Sequence, residues 1–295
     1  MEIASFEQLT HIANNKPKKK VAIVASNDTS IINSALKAKK QGLIVPVFIG
    51  KKKFILEVTN KVDADIEIID LADHNEAAQK AVDLWLDDQV DLIMKGLIPT
   101  SVLLHYVLKK RKSLLQSSIL SHMALFQIPT YYKCIALSDA AINISPNIDH
   151  RIALIKNSVH ALQRLGIESP NVALLSAIEK INSKITSTTE SEIIKNRLVS
   201  EGIDWNIEGP LSLDIAISAK ASQTKKYASK VSGNTDLMVV PEIVSGNILY
   251  KSLGYFANAQ LAAVVLGAKS PIILTSRADN EESKFYSIVL GIALV

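Results

Sequence analysis

Only five arginines, at positions 111, 151, 164, 197 and 277, occur among the 33 lysines and arginines of the chain. One of them stands in the run Ser276-Arg277-Ala278-Asp279, directly after the apolar residues 271–275. A guanidinium is a planar fork of N–H donors that grips a tetrahedral oxyanion through two parallel bonds. The hydroxyl of Ser276 adds a further donor beside it. Asp279, with Glu282 three residues on, reads as the cap of a helix, and a helix N-terminus favours an anion. The competing use of Arg277 is a local ion pair with Glu281 or Glu282. Small polar residues follow other apolar runs in the same way: Thr100 after Lys95-Gly96-Leu97-Ile98-Pro99, Ser176 after 172–175, and Ser245-Gly246-Asn247 after 237–240. Thr100 and Ser176 are hydrogen-bond donors or plain helix caps. At Gly246 a ligand can approach the backbone closely, or the segment is a simple helix start capped by Ser245.

Other chemistries lack their residues. The eleven glycines never form G-x-G, and there is no G-x-x-x-x-G-K, G-x-S-x-G or H-E-x-x-H, so dinucleotide, P-loop, hydrolase and zincin signatures are missing. The single cysteine, Cys134, lies in an apolar segment and reads as a packing residue, not a nucleophile. No disulfide framework or metal site is supported. The net charge of +4 is carried by scattered lysine runs at 18–20, 51–53 and 109–112, without interleaved aromatics, so no nucleic-acid partner is expected. No apolar stretch approaches the roughly 20 residues of a membrane span, and no leader is apparent, so a cytoplasmic protein is expected with no membrane partner.

These residues must be positioned by alternating elements. Apolar runs at 21–25, 43–49, 66–69, 91–94, 131–137, 172–175, 205–207, 237–240 and 271–275 read as strands. Between them, helical periodicity predicts helices over 28–40, 76–88, 101–110, 149–165, 187–201, 211–219, 245–257 and from 280 onward. Ser187 and Glu190 have capping-box spacing for the fifth of these. The fold class is α/β, with parallel-rich sheets covered on both faces in an α/β/α arrangement. Ligands of such sheets sit at the carboxyl ends of the strands, where the residues above fall.

The runs PEIVSGNILYKSLGYFANA and VVLGAKSPIILTSRADNEES resemble the phosphate acetyltransferase and phosphate butyryltransferase family. DLIMKGLIPT, GIESPNVALLSAIEKIN and EGPLSLDIAIS are similar to the butyryltransferase branch. The resemblance implies a two-domain fold related to isocitrate and isopropylmalate dehydrogenases. Residues 1–139 and 268–295 would form one domain and 140–267 the other, with the active-site cleft between them. It implies reversible transfer of an acyl group, butyryl or a similar short chain, between coenzyme A and inorganic phosphate. Both are substrates, and no cofactor is permanently bound. It also implies a homodimer or larger homo-oligomer. Ser276, Arg277 and Asp279 would be catalytic. Thr100, His105, Ser176, Ser245, Gly246 and Asn247 would bind substrate. A phosphate acetyltransferase is one alternative reading. A degenerate, non-catalytic binder of coenzyme A or phosphate is another, because His105 and Leu115 stand where the family carries arginines. The acetyltransferase branch has a carboxylate, as thiol base, seven residues after the serine of its S-R pair; here that position is Ser283, leaving Asp279 or Glu282 nearest.

Overall fold

A computed structural model describes residues 2–59, 66–227 and 229–295. They form two compact units. The flanking unit comprises Phe6–Gln116 and Leu261–Val295, and the central unit Ser117–Gln260 with the N-terminal residues up to Ser5.

The flanking unit runs α1 (Phe6–Asn14), β1 (Lys19–Val24), α2 (Thr29–Lys40), β2 (Ile44–Gly50), α3 (Lys52–Val58), β3 (Glu67–Asp70), α4 (His74–Leu86), β4 (Leu92–Lys95), α5 (Thr100–Lys109) and α6 (Arg111–Leu114). In the central unit follow β5 (Ser121–Gln127), β6 (Ile135–Ser138), α7 (Ile148–Arg164), β7 (Asn171–Leu175), α8 (Thr186–Ser200), β8 (Asn206–Leu211), α9 (Leu213–Ile217), α10 (Ala219–Thr224), β9 (Leu237–Val239) and α11 (Ile243–Tyr255). The chain then returns to the flanking unit as β10 (Gln260–Leu266), β11 (Ile272–Ile273) and α12 (Glu281–Ala293). No helix among the described residues is long and apolar enough to cross a membrane.

Strands in the flanking unit lie in the order β3-β2-β1-β4-β11-β10, parallel except for β10 against β11. Every residue of β4 is buried, as are the last four of β1, because helices cover both faces. The helix α4 turns Ala77, Ala78, Ala81, Val82 and Trp85 inward, the stripe its 3.6-residue spacing requires. Ten of the thirteen residues of α12 are buried, so this helix is a core element that packs on α1 and α2. The central unit has the order β5-β6-β9-β7-β8, again parallel except for β5 against β6.

Several expectations need correction. Two strands absent from the sequence reading, β5 and β10, add antiparallel pairs to the parallel-rich sheets. A strand expected over 131–137 begins only at Ile135, because residues 129–133 form turns. β6 pairs with β5 on one side and β9 on the other, and residues 121–138 fall within the central unit. The helix expected over 211–219 splits, since Leu211 ends β8 and Ser218 caps a separate α10. No capping box starts α8: Ile185 precedes it without a side-chain cap, while Glu190 pairs with Arg151. Asn280, not Asp279, caps α12, and Glu242, not Ser245, caps α11.

Candidate functional site

Register brings three strand ends side by side in the flanking unit. Val24 of β1 pairs with Lys95 of β4, and Met94 pairs with Ile273 of β11. The segments Ser26-Asn27-Asp28, Lys95-Gly96-Leu97-Ile98 and Ser276-Arg277-Ala278-Asp279 therefore emerge along one edge, separated in sequence by up to 250 residues.

Each segment is held by its own bonds. Ser26 is buried and its hydroxyl donates to the Ile23 carbonyl at 2.7 Å. Asp28 caps α2, accepting the Ile31 amide at 3.1 Å and the Ser30 hydroxyl at 2.5 Å. Burial alone would raise the Asp28 carboxyl, but the bonds from Ser30 and Ile31 and the charge of Lys284 together hold it below its ordinary value. Gly96 is pressed against β1: a Cβ there would lie 2.1 Å from the Val24 carbonyl oxygen and 2.6 Å from that of Ala25. No other residue fits. That contact fixes the Gly96 and Leu97 amides on the Val24 and Ala25 carbonyls at 2.8 and 3.0 Å.

The loop after β11 is braced from within and from below. Asp279 accepts the Ser276 amide at 2.7 Å, and the Asp279 amide returns to the Ser276 carbonyl at 3.2 Å. Lys284, on the first turns of α12 and only 2% exposed, donates to the Asp279 carbonyl at 2.6 Å and to the Ser30 hydroxyl at 2.8 Å. A chain of polar contacts thus runs Asp28–Ser30–Lys284–Asp279. Arg277 stands on this braced loop, exposed, and makes no hydrogen bond or ion pair with another described residue. The ion pair with Glu281 or Glu282 is absent; Glu281 instead accepts from Asn33 at 3.1 Å. An exposed guanidinium on a rigid loop, with its donors unspent, is suited to an oxyanion.

Lys95 lies beside it. Only 4% exposed, its amine donates to the Gly96 carbonyl at 3.1 Å and the Ile98 carbonyl at 3.3 Å. Burial brings this lysine down to about 8, the Arg277 charge pushes the same way, Asp279 opposes and Lys284 adds to the fall. Thr100 is half-buried at the start of α5, behind Pro99. His105 is exposed on that helix with its ring edge-on to Tyr106, 5.4 Å between centroids. Leu115 is half-buried and bridges Ala268.

In the central unit the ends of β6, β9 and β7 are likewise adjacent, through the pairs Ser138–Val239 and Leu174–Val239. Asp139 follows β6 and collects four N–H donors: the amides of His122, Ala141 and Ile142 at 2.9 Å and the Asn143 side chain at 2.6 Å. Ser176 bonds to Ser187, hydroxyl to hydroxyl, at 2.7 Å. The close approach permitted by Gly246 is made by the chain itself, since a Cβ there would sit 2.7 Å from the Asp139 carbonyl oxygen. The Gly246 amide joins the helix ladder on Glu242, Asn247 donates to the Ala140 carbonyl at 3.2 Å, and the Ser245 hydroxyl turns back to Glu242.

Sequence reasoning passed over Lys95 and Lys284. Lys95 had a signal: a lysine closing an otherwise apolar strand, Leu-Ile-Met-Lys, where β4 is buried throughout. Lys284 had none, because its partners Ser30 and Asp279 are set by tertiary packing. Cys134 is 3% exposed just ahead of β6, and burial pushes its thiol up to about 12, as suits a packing residue. No cluster of three or more metal-ligating side chains exists among the described residues.

Residues 74–292 match the family model described as phosphate acetyl/butaryl transferase. The chain belongs to this family. Within it, the chain is 38% identical over 276 residues to a probable phosphate butyryltransferase of Bacillus subtilis, spanning 93% of this chain and 92% of that protein. It is 34% identical over 290 residues to a phosphate acetyltransferase of Thermotoga maritima, spanning 97% and 98%. Among solved structures, a branched-chain phosphotransacylase from Enterococcus faecalis V583 superposes with a TM-score of 0.85 at 32% identity, covering 94% of this chain and 98% of that one. The phosphate acetyl/butyryl transferase fold is thus a mixed α/β fold built on mostly parallel sheet.

Proposed function

We propose that the chain is a phosphate acyltransferase that moves a short acyl group, butyryl or a similar one, reversibly between coenzyme A and inorganic phosphate. The observation that carries this reading is Arg277, exposed and without a partner among the described residues, on a loop braced by Asp279 and Lys284. Its guanidinium grips the phosphate end of the acyl phosphate, and Ser276 adds a hydroxyl. Asp279 keeps the loop in shape. Thr100 and Ser176 are assigned as hydroxyl donors to acyl phosphate or coenzyme A. His105, Ser245 and Asn247 are assigned to substrate binding. The Gly246 assignment lacks such support, because its free face is filled by Asp139 and Ala140.

Coenzyme A brings its own sulfur nucleophile, so direct transfer asks the protein for alignment and for stabilisation of the tetrahedral oxyanion. A buried Cys134 with a raised thiol fits a mechanism without an acyl-enzyme. The reading includes kinship with the isocitrate and isopropylmalate dehydrogenase fold, and a homodimer or larger homo-oligomer. For the latter, Val244, Ile248, Tyr255 and Phe256 are 59%, 61%, 73% and 91% exposed on and just after α11, an apolar face suited to a second copy.

The test is thiol release from acetyl-, butyryl- and longer acyl-CoA, with and without phosphate. Phosphate-dependent release, fastest with butyryl-CoA, is expected. Fastest release with acetyl-CoA favours the acetyltransferase alternative. Binding without turnover leaves the non-catalytic binder. Sedimentation of the purified chain at micromolar concentration checks the oligomer.

A further inference from the structure

We propose that Lys95 is the general base that takes the proton of the coenzyme A thiol, through the lone pair that its two carbonyl partners leave unused. The proposal rests on the acyl-transfer reading and deepens it by supplying a proton acceptor.

A base is needed, and the nearby carboxylates are absent, bonded to other groups or turned to solvent. Position 283 is a buried serine whose amide is held by Asn280 at 2.8 Å. Asp279 spends a carboxylate oxygen on the Ser276 amide at 2.7 Å. Glu281 is bonded to Asn33, and Glu282 is exposed. Lys95, by contrast, is buried at the carboxyl end of β4, beside the strand that leads into Ser276 and Arg277.

Its surroundings are those of a neutral amine. An NH2 group has two hydrogens and one lone pair; here two carbonyls, of Gly96 and Ile98, accept from the nitrogen at 3.1 and 3.3 Å. A salt bridge, the usual way to keep a buried ammonium charged, is missing: Lys95 has no carboxylate within ion-pair distance among the described residues. The charged groups facing it are Arg277 and Asp279 from the loop after β11 and Lys284 from α12, which is itself turned toward Ser30 and Asp28. Two like charges outweigh one opposite charge, and burial acts in the same sense. The resulting value, about 8, is that of an amine able both to accept and to return a proton near neutral pH.

The step balances as follows. The Lys95 lone pair takes the thiol proton, and the sulfur electron pair forms the C–S bond at the acyl carbonyl. The tetrahedral oxyanion collapses, the C–O bond to phosphate breaks, and phosphate leaves with that electron pair, held by Arg277. The ammonium gives its proton to the departing phosphate or to water. In the reverse direction a phosphate oxygen attacks the acyl-CoA, the C–S bond breaks, and the ammonium protonates the leaving thiolate.

The experiment compares wild type with Lys95→Met, Lys95→Arg and Lys95→Ala in the acyl phosphate plus coenzyme A direction, with circular dichroism as the folding check. A base predicts kcat at least 100-fold below wild type in all three, Lys95→Arg included, because an arginine keeps the charge and donors but accepts no proton. Added ethylamine should restore Lys95→Ala at least tenfold, and the acid limb of the wild-type kcat profile should turn near pH 8 and vanish in the variants. Activity of Lys95→Arg within threefold of wild type would overturn the proposal while leaving the acyl-transfer reading intact. An inactive wild type across all acyl-CoA substrates defeats that reading itself, and the base with it. Should the variants not fold, NMR titration of lysine 13Cε in the wild-type chain decides. A side chain in this buried environment titrating near 8 supports the base, and no lysine titrating below 10 overturns it.

Discussion

The Lys284 amine lies 2.6 Å from the carbonyl oxygen of Asp279, joining the buried side of α12 to the loop that presents Arg277. Its other partner, the Ser30 hydroxyl at 2.8 Å, belongs to the first turn of α2, so one side chain ties two strand ends together. A loop that must hold an anion against water gains from such a tie, because misplacement of its donors weakens every bond they make.

Lys284→Met should therefore act on phosphate more than on coenzyme A. The methionine fills the space but removes the bonds to the Asp279 carbonyl and the Ser30 hydroxyl, each bond to a charged group being worth about 1.5–3 kcal/mol. The expected outcome is a phosphate KM raised about tenfold or more, a lower Tm, and a coenzyme A KM within twofold of wild type. An unchanged phosphate KM in the folded variant would remove Lys284 from the positioning of Arg277.

Arg277→Ala should cripple phosphate-dependent turnover, with a loss of about 10- to 150-fold in kcat/KM for the same 1.5–3 kcal/mol of charge-assisted bonding. Its exposure and lack of partners among the described residues mean that Tm should hardly change. Arg277→Lys should rescue poorly, since an ammonium lacks the planar fork. Wild-type kinetics at limiting phosphate in Arg277→Ala would sink the assignment.

Lys95 makes stability depend on pH with a defined sign. Its folded value, about 8, lies below the ordinary 10.5, so between these pH values the unfolded chain binds the extra proton and stability rises with pH. Below pH 8 both states are protonated, and the cost of the buried charge is constant. Urea unfolding of wild type and Lys95→Met from pH 7 to 10.5 should give a stability difference that moves in favour of wild type above pH 8. The full movement is on the order of 3 kcal/mol. A flat difference across that window contradicts a buried, depressed lysine.

His105 stands exposed on α5, and the resemblance to the family implies an arginine at its place. As a substrate contact, His105→Arg should tighten phosphate or coenzyme A binding several-fold, because a guanidinium keeps its charge and both its forks at all working pH values. Isothermal titration with each ligand checks this. Equal affinities before and after the change make His105 a surface bystander.

Much was readable without coordinates, and the reason is local. Continuous apolar runs such as 21–24 and 92–94 have only one stable disposition, a strand buried on both faces, and Asp28 caps α2 through atoms two and three residues away. The family motifs around Asn247 and Arg277 are likewise contiguous text. What failed was non-local or degenerate in pattern. β5 and β10 are apolar strands of ordinary composition, and nothing in their residues states that they run antiparallel to β6 and β11.

Helix starts were misread by a few residues because several side chains competed for the same amides. Asn280 won over Asp279 once Asp279 turned to the Ser276 amide, and Glu242 won over Ser245 by accepting two amides at once. The sequence by itself determined the fold class and the family and singled out Arg277 as a candidate, because each depends on periodicity or on residues adjacent in the chain. Only the tertiary structure decided what surrounds Arg277. Lys95 of β4 feels its charge, while Lys284 of α12 with Ser30 and Asp28 at the start of α2 braces its loop, across up to 249 positions of sequence, through sheet register and helix packing. The buried environment that sets the lysine's proton affinity exists only once those elements have met, since desolvation and neighbouring charge are properties of the folded interior.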